Sequence, residues 1–283
     1  MNTLAISTPH ASNFPDIARE FWRREPLFTA AALLLLVLAV PTAVAGLLDE
    51  RTLAAQSVWS KPLKFEASLS IYLLTLAWFA GYLPEGTTGR RWYRVYSALV
   101  VFMIAIEMVW LMGAAAAGAP SHFNREGGLL EAVYPLMGVF AVGLTSATLV
   151  YGRLIARDGD AGLGPAFRSA VSIGLTLTFF LTIATAGYLA SGEGHLVGRE
   201  ATDMRGVPFL GWASNGGDLR VPHFFATHAM HFIPGFGLLC TLLAPNWGVL
   251  AVRLFSATYA VFVGAVLFQA AMGSPWPSKA LYP

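Results

Sequence analysis

Seven stretches of the chain are apolar almost without interruption: 27–48, 65–83, 95–117, 129–151, 169–190, 223–243 and 248–272. Each is close to the roughly 20 residues that a helix rising 1.5 Å per residue needs to cross about 30 Å of hydrocarbon. None alternates polar and apolar positions as the strands of a membrane barrel do, and none carries the single apolar stripe of a soluble amphipathic helix. The pattern predicts an all-α fold, an integral membrane helical bundle of about seven transmembrane helices. Residues 1–26 form an N-terminal segment, 27–273 one transmembrane helical domain, and 274–283 a tail. Ahead of the first run, Phe14, Ile17, Ala18 and Phe21 recur at helical spacing beside Arg19, Arg23 and Arg24. That spacing predicts a short helix lying on the membrane surface. Ala43-Val44-Ala45 has the small-residue form of a signal-peptidase site. The polar leader is long, however, and the apolar run exceeds an h-region of about 7–15 residues, so the first helix is expected to be retained.

Composition agrees with the hydropathy pattern. Of 283 residues, 56% are hydrophobic and only 12% charged, against about 25% charged in an ordinary soluble domain. The expected partner is therefore the lipid bilayer. A net charge of +2 implies no nucleic-acid partner. Eight Trp and nine Tyr fit interfacial anchoring. Cys240 is the one cysteine, so no internal disulfide forms.

Basic residues in the loops set the expected orientation. Arg19, Arg23, Arg24, Arg90, Arg91, Arg94, Arg153, Arg157, Arg168 and Arg253 fall on one side, in short arginine-rich loops. Arg51, Lys61, Lys64, Arg125, Arg199, Arg205, Arg220 and Lys279 fall on the other. The first group is the larger, which places the N-terminus in the cytoplasm and the C-terminus outside the cell membrane.

The unusual chemistry collects on the extracytoplasmic side. His122, His195, His223, His228 and His231 lie there or just below it. On one ideal helix His228 and His231 share a face, whereas His223 points away, so a ligand set needs residues from other helices. His122, Glu66 and Glu131 stand near the same level, and Glu107 lies near the middle of the third span. An ionised residue at that depth costs about 2.5–3.5 kcal/mol on insertion scales, so Glu107 is expected to be protonated or paired inside the bundle. Imidazole and carboxylate are ligands for iron, zinc or haem. The bland alternative is that these histidines cap helices or face water. A second group, Trp59, Lys61 and Lys64, and a third, Asp218 and Arg220, offer charge to an anionic molecule. Their structural readings are a tryptophan-anchored helix start and a local cap or ion pair. The last helix carries no lysine, and no phosphate-binding loop or serine-nucleophile elbow occurs.

The runs Trp59-x-Lys61-Pro62-x-Lys64-Phe65, Ser121-His122-Phe123-Asn124 and Gly217-Asp218-Leu219-Arg220-Val221-Pro222-His223-Phe224, followed by His228, resemble a group of uncharacterised bacterial multi-pass membrane proteins. The likeness spans about residues 55 to 235 and implies an architecture without a mechanism. Three readings of function follow. The first is a metal- or haem-binding redox protein. His122, His223, His228 and His231 would be its ligands, Glu107 a buried acid, and its partner a redox or small molecule on the extracytoplasmic side. The second is a transporter or binder of a small anionic molecule, met by Lys61, Lys64 and Arg220, with Glu107 coupling protons. The third is a metal-dependent membrane hydrolase carrying zinc.

Overall fold

The computed structural model describes residues 14–53, 56–121, 129–157, 163–192, 194–198, 210–243 and 246–276. Helices account for 78% of the structure, which is an all-α bundle. Among the described residues six helices are long and apolar enough to cross a membrane, and a bent pair makes up to seven if the two are taken as one span. The described contacts group into two compact units, residues 1–53 with 57–164 and residues 54–56 with 165–283.

The first unit starts with α1 (Phe14–Arg24), an amphipathic helix with Ile17 and Trp22 exposed. Glu25 interrupts it, and Pro26 opens α2 (Pro26–Leu48), where a missing N–H costs nothing. Most of α2 is uncovered apolar surface, with only 17% of its most apolar window buried inside the protein, as expected of a helix facing lipid. It packs along α3 (Ser60–Ala80). Then come α4 (Arg91–Ala117), stopped by the left-handed Gly118, and α5 (Leu129–Arg157). Glycine takes that backbone conformation without the steric cost a Cβ would bring.

Arg24 docks α1 on the end of α3. Its guanidinium lies 4.1 Å from the centre of the Trp78 ring and donates to Trp78 O at 2.6 Å. It also pairs with Glu20 at 2.7 Å, with only 6% of the Arg24 side chain exposed. A Cβ on Gly81 would lie 2.8 Å from the same guanidinium, so the glycine makes room for it. Arg23 and then Arg24 hold the Glu20 carboxyl down to about 2. A depressed carboxyl contributes stability that is present above its ordinary value of 4.5 and lost as pH falls through about 2. A spin label at Ile17→Cys, with Cys240 replaced by Ala, is therefore expected to gain mobility across that window. Arg24→Ala should free the label already at neutral pH. A label that stays immobile in both cases would mean that α1 is held by other contacts.

Not every tyrosine is an interfacial anchor. Tyr93 and Tyr151 are buried in the first unit, and their hydroxyls hydrogen-bond to each other. Tyr93 Oη also donates to Glu25 Oε2 at 2.7 Å. Burial pushes the Glu25 carboxyl up. The tyrosine hydroxyls take internal partners because a buried hydroxyl without one is costly. Exposed Trp22, Trp92 and Trp247 remain as candidates for the aromatic belt.

The second unit comprises α6 (Pro165–Ser191), α7 (Arg220–Thr227), α8 (Ala229–Leu243) and α9 (Gly248–Ala271). Glycines let these helices approach closely. A Cβ on Gly174 would come within 2.9 Å of Pro234 Cδ, and one on Gly237 within 2.2 Å of the Ala170 Cβ. Small residues at such crossings are how helices gain packing in lipid, where the hydrophobic effect does not drive association. Among the described residues the strands are two-residue pieces: Thr52–Leu53 and Gln56–Ser57 form β1 and β2. Leu196–Val197 and Gly217–Asp218 form β3 and β4, antiparallel with Leu196 opposite Asp218.

One expected span is not continuous. The run 223–243 forms α7 and α8, bent by 48° at a break. His228 caps α7, its N–H bonding back to Phe224 O, while its own carbonyl accepts from His231 and Phe232 as α8 begins. At the break, Phe225 O accepts the Tyr259 hydroxyl at 2.7 Å. A tyrosine from α9 thus supplies a hydrogen bond to backbone at the bend, which is the condition for breaking a helix at membrane depth.

Candidate functional site

In the first unit, a polar group forms where α2 and α4 end and α3 begins. Asp49 follows α2, and its carboxylate pairs with Arg51 at 2.6 Å and accepts Trp59 Nε1–H at 2.8 Å. Arg51 Nη1 in turn donates to Ala116 O near the end of α4 at 3.0 Å. The Arg51 guanidinium, followed by Trp59, holds the Asp49 carboxyl well below the usual range. Trp59 therefore belongs to a clasp that ties three helix ends together.

Below this clasp the group becomes buried. Glu66 stands about 9 Å into α3, counting six residues of 1.5 Å rise, and is 1% exposed. Thr42, six residues before the end of α2, meets it, with Oγ1 2.9 Å from Glu66 Oε1 and 3.0 Å from Leu38 O. Met112 Sδ of α4 lies 3.8 Å from the same hydroxyl. Glu66 Oε2 is buried with no hydrogen-bond partner among the described residues. Glu107 lies about 15 Å from the end of α4 and is 4% exposed. Lys61, half-buried in the first turn of α3, is within electrostatic range of Glu107. Lys64 is exposed.

Hydrogen-bond accounting shows what this arrangement can do. A hydroxyl has one hydrogen and two lone pairs. Thr42 Oγ1 donates to Glu66 when that carboxylate is ionised. It donates to Leu38 O, and accepts from Glu66, when the carboxyl is protonated. Both protonation states of Glu66 thus keep a partner at Oε1. Glu66 Oε2 has no partner in either form among the described residues, so the arrangement satisfies one oxygen of this acid and not both.

In the second unit the three described histidines of the α7–α8 segment do not converge as a ligand set. His228 and His231 face each other, Nδ1 to Nδ1 at 3.1 Å. One Nδ1 donates and the other accepts, so this contact holds one proton between them. The His228 ring also packs against Phe224, centroids 4.2 Å apart. His223 Nδ1 lies 3.2 Å from Thr185 Oγ1. That hydroxyl also lies 2.9 Å from Leu181 O and 3.3 Å from Thr182 O, so His223 is held by a hydroxyl that serves it in either tautomer. Among the described residues no three His, Cys, Asp or Glu side chains stand together to hold a metal ion. A three-ligand metal set is not assembled from His223, His228 and His231. His122 and the Glu131 side chain lie outside the described residues.

Asp218 and Arg220 engage each other. Arg220 donates to both Asp218 oxygens and to Gly211 O at 2.7 Å. Asp218 Oδ2 accepts Ala213 N–H and Oδ1 accepts Arg220 N–H, both at 2.9 Å. The Asp218 side chain is 0% exposed. This is a loop clamp in which the charges satisfy each other rather than a bound anion. Trp276, from the tail, packs on Phe225 and Phe262 over the same region.

Sequence reasoning named Glu107, Lys61 and Glu66 but missed Thr42, Glu25, Tyr93 and Tyr151. Thr42 carried one available signal, a hydroxyl after Pro41 in an otherwise apolar run. The tyrosines carried none, because an interfacial and a buried tyrosine look alike in a sequence. The chain matches no protein-family model, no curated protein and no solved structure.

Proposed function

We propose that the protein is a multi-pass membrane transporter that carries a small anion together with a proton, with its N-terminus in the cytoplasm. The observation that carries this reading is the buried acid group of the first unit, Glu66 on Thr42 and Glu107 within range of Lys61. Ionisable residues inside a membrane bundle are costly and mark substrate or proton paths. The broken helix at His228 gives further support, since interrupted helices line the sites of many transporters.

Charge balance supplies the mechanism. With Lys61 cationic and Glu107 anionic, the two charges cancel, which offsets part of the cost of taking both out of water. An anion that enters at Lys61 replaces Glu107 as its counter-ion. Glu107 then takes a proton, because two anions on one ammonium would leave a net charge in the bilayer. The loaded site holds one extra proton and one extra anion, so its charge is unchanged. Release of the anion returns Glu107 to Lys61 and frees the proton. Glu66, whose Oε1 keeps Thr42 as a partner in both protonation states, serves as a second proton station.

The test is anion-driven proton uptake into proteoliposomes at about pH 6, read by a lumenal pH dye with the monovalent anions dihydrogen phosphate, nitrate and gluconate as probes. Wild-type protein is expected to take up protons with at least one of them. Glu107→Gln should lower that uptake by roughly tenfold or more, one tenfold step being about 1.4 kcal/mol. The same variant should retain counterflow of the labelled anion, because glutamine mimics the protonated acid. Lys61→Gln should lose both activities. Equal proton uptake in wild type and Glu107→Gln would refute the coupling. Absence of any anion-dependent uptake by correctly inserted wild-type protein, for all three probes, would refute the transport reading for these anion classes.

A further inference from the structure

The start of α4 presents a surface that its own unit leaves unfilled. Arg91, Arg94, Val95, Ala98, Leu99 and Phe102 line a groove of about 820 Å³. They recur at spacings of three and four, so they form one face of the helix. Val95, Leu99 and Phe102 are each more than half exposed, at 53%, 52% and 55%. Ala98 is the small residue between them and leaves a notch. From Arg91 to Phe102 the groove runs about 16 Å, close to the thickness of one leaflet, half of about 30 Å.

The charge at the mouth of the groove is one-sided. Arg90, Arg91 and Arg94 follow one another at the start of the helix, and no acidic residue stands in its first turn. Among the described residues Arg91 and Arg94 form no ion pair. Like charges repel, and the helix dipole disfavours cations at this end. An anion between the two guanidiniums relieves both effects, and the lining offers no carboxylate to compete for them.

We infer that this groove binds an anionic phospholipid, its phosphate held by Arg91 and Arg94 and an acyl chain laid over Val95, Ala98, Leu99 and Phe102. Arginine suits the phosphate because its planar fork presents two parallel donors. The apolar face below the arginines suits a hydrocarbon chain and has no feature that would recognise a soluble anion. This inference does not depend on the transport reading, since the groove shares no residue with the buried acids.

The test is native mass spectrometry of the full chain released from neutral detergent with palmitoyl-oleoyl phosphatidylglycerol or phosphatidylcholine. Wild-type protein is expected to prefer phosphatidylglycerol. The double variant Arg91→Gln, Arg94→Gln should bind it roughly 30-fold more weakly, as two basic residues near a membrane surface predict. Ala98→Leu, with the charges intact, fills the notch and is expected to weaken binding too. This variant changes only a lipid-facing position, so it decides the matter if the double variant fails to fold. Equal binding of both lipids by wild type, undiminished phosphatidylglycerol preference in the double variant, or undiminished phosphatidylglycerol binding in Ala98→Leu, overturns the inference. So does displacement of the lipid by inorganic phosphate at equal concentration, which would mark a site for a soluble anion. Loss of a dimer in the double variant without any change in lipid preference would assign the face to a second copy and likewise overturn it.

Discussion

Asp218→Ala is expected to lower the resistance of the second unit to unfolding by about 3–5 kcal/mol, the usual cost of removing one partner of a buried ion pair. The aspartate accepts from Ala213 N–H, from Arg220 N–H and from the Arg220 guanidinium. Deleting it leaves two backbone donors and one cation without their acceptor. Ala213 is fully buried, so water does not replace the lost bond without opening the loop. The loop anchors the start of α7, so the first consequence should be fraying there. Asp218→Asn keeps one acceptor oxygen and should lose less. The measurement is the midpoint of SDS-induced unfolding, together with protease sensitivity of the segment around Arg220. A loss below about 1 kcal/mol, the range of an exposed ion pair, would mean that the clamp is not what holds the segment.

Gly237→Ala and Gly235→Ala are expected to move stability in opposite directions although they lie two residues apart on α8. A Cβ on Gly237 would sit 2.2 Å from the Ala170 Cβ, whereas one on Gly235 meets nothing within 4 Å. Neither methyl at the first position has a flexible end to swing away, so α6 and α8 must separate. Overpacking of this kind costs about 1–3 kcal/mol. The separation also disturbs the neighbouring contact of Gly174 with Pro234 and Ala229. At Gly235 the same substitution removes backbone freedom from the unfolded chain and gains about 0.5–1 kcal/mol. Thermal unfolding of the two variants in one detergent measures the difference. The same sign for both would show that the α6–α8 crossing is looser than its geometry.

The apolar runs illustrate how far hydropathy reaches. The run 27–48 became α2 over Pro26–Leu48, and 248–272 became α9 over Gly248–Ala271. Charged or mixed ends were harder. The second span begins at Ser60 rather than 65, and the third at Arg91 rather than 95. Helices extend past the hydrocarbon into the polar zone, where a hydropathy window no longer distinguishes helix from loop. The amphipathic α1 was legible from its spacing, but its attachment through Arg24 to Trp78 was not.

The candidate site was legible as residue types and not as partnerships. Glu107 and Glu66 stood out because carboxylates in apolar runs are rare. That Thr42 meets Glu66, and that Lys61 comes within range of Glu107, depends on the rotation of α2, α3 and α4 about their axes. A change of one residue in any register would point these groups to lipid. The histidines show the same limit. Read on one straight helix, His228 shares a face with His231 and points away from His223, but the 48° break places it at the corner between two helices. That break involves Tyr259, which is 31 positions further along the chain than His228.

By itself, then, the sequence determined the solvent, the helical class and the approximate spans. Each of these follows from transfer energies that add residue by residue along a local window. Only the tertiary structure decided which polar groups share a hydrogen, which arginines are clamped and which are left exposed, and where a helix is allowed to bend. Those outcomes depend on distances of a few ångströms between residues far apart in the chain, and no sum over a local window contains them.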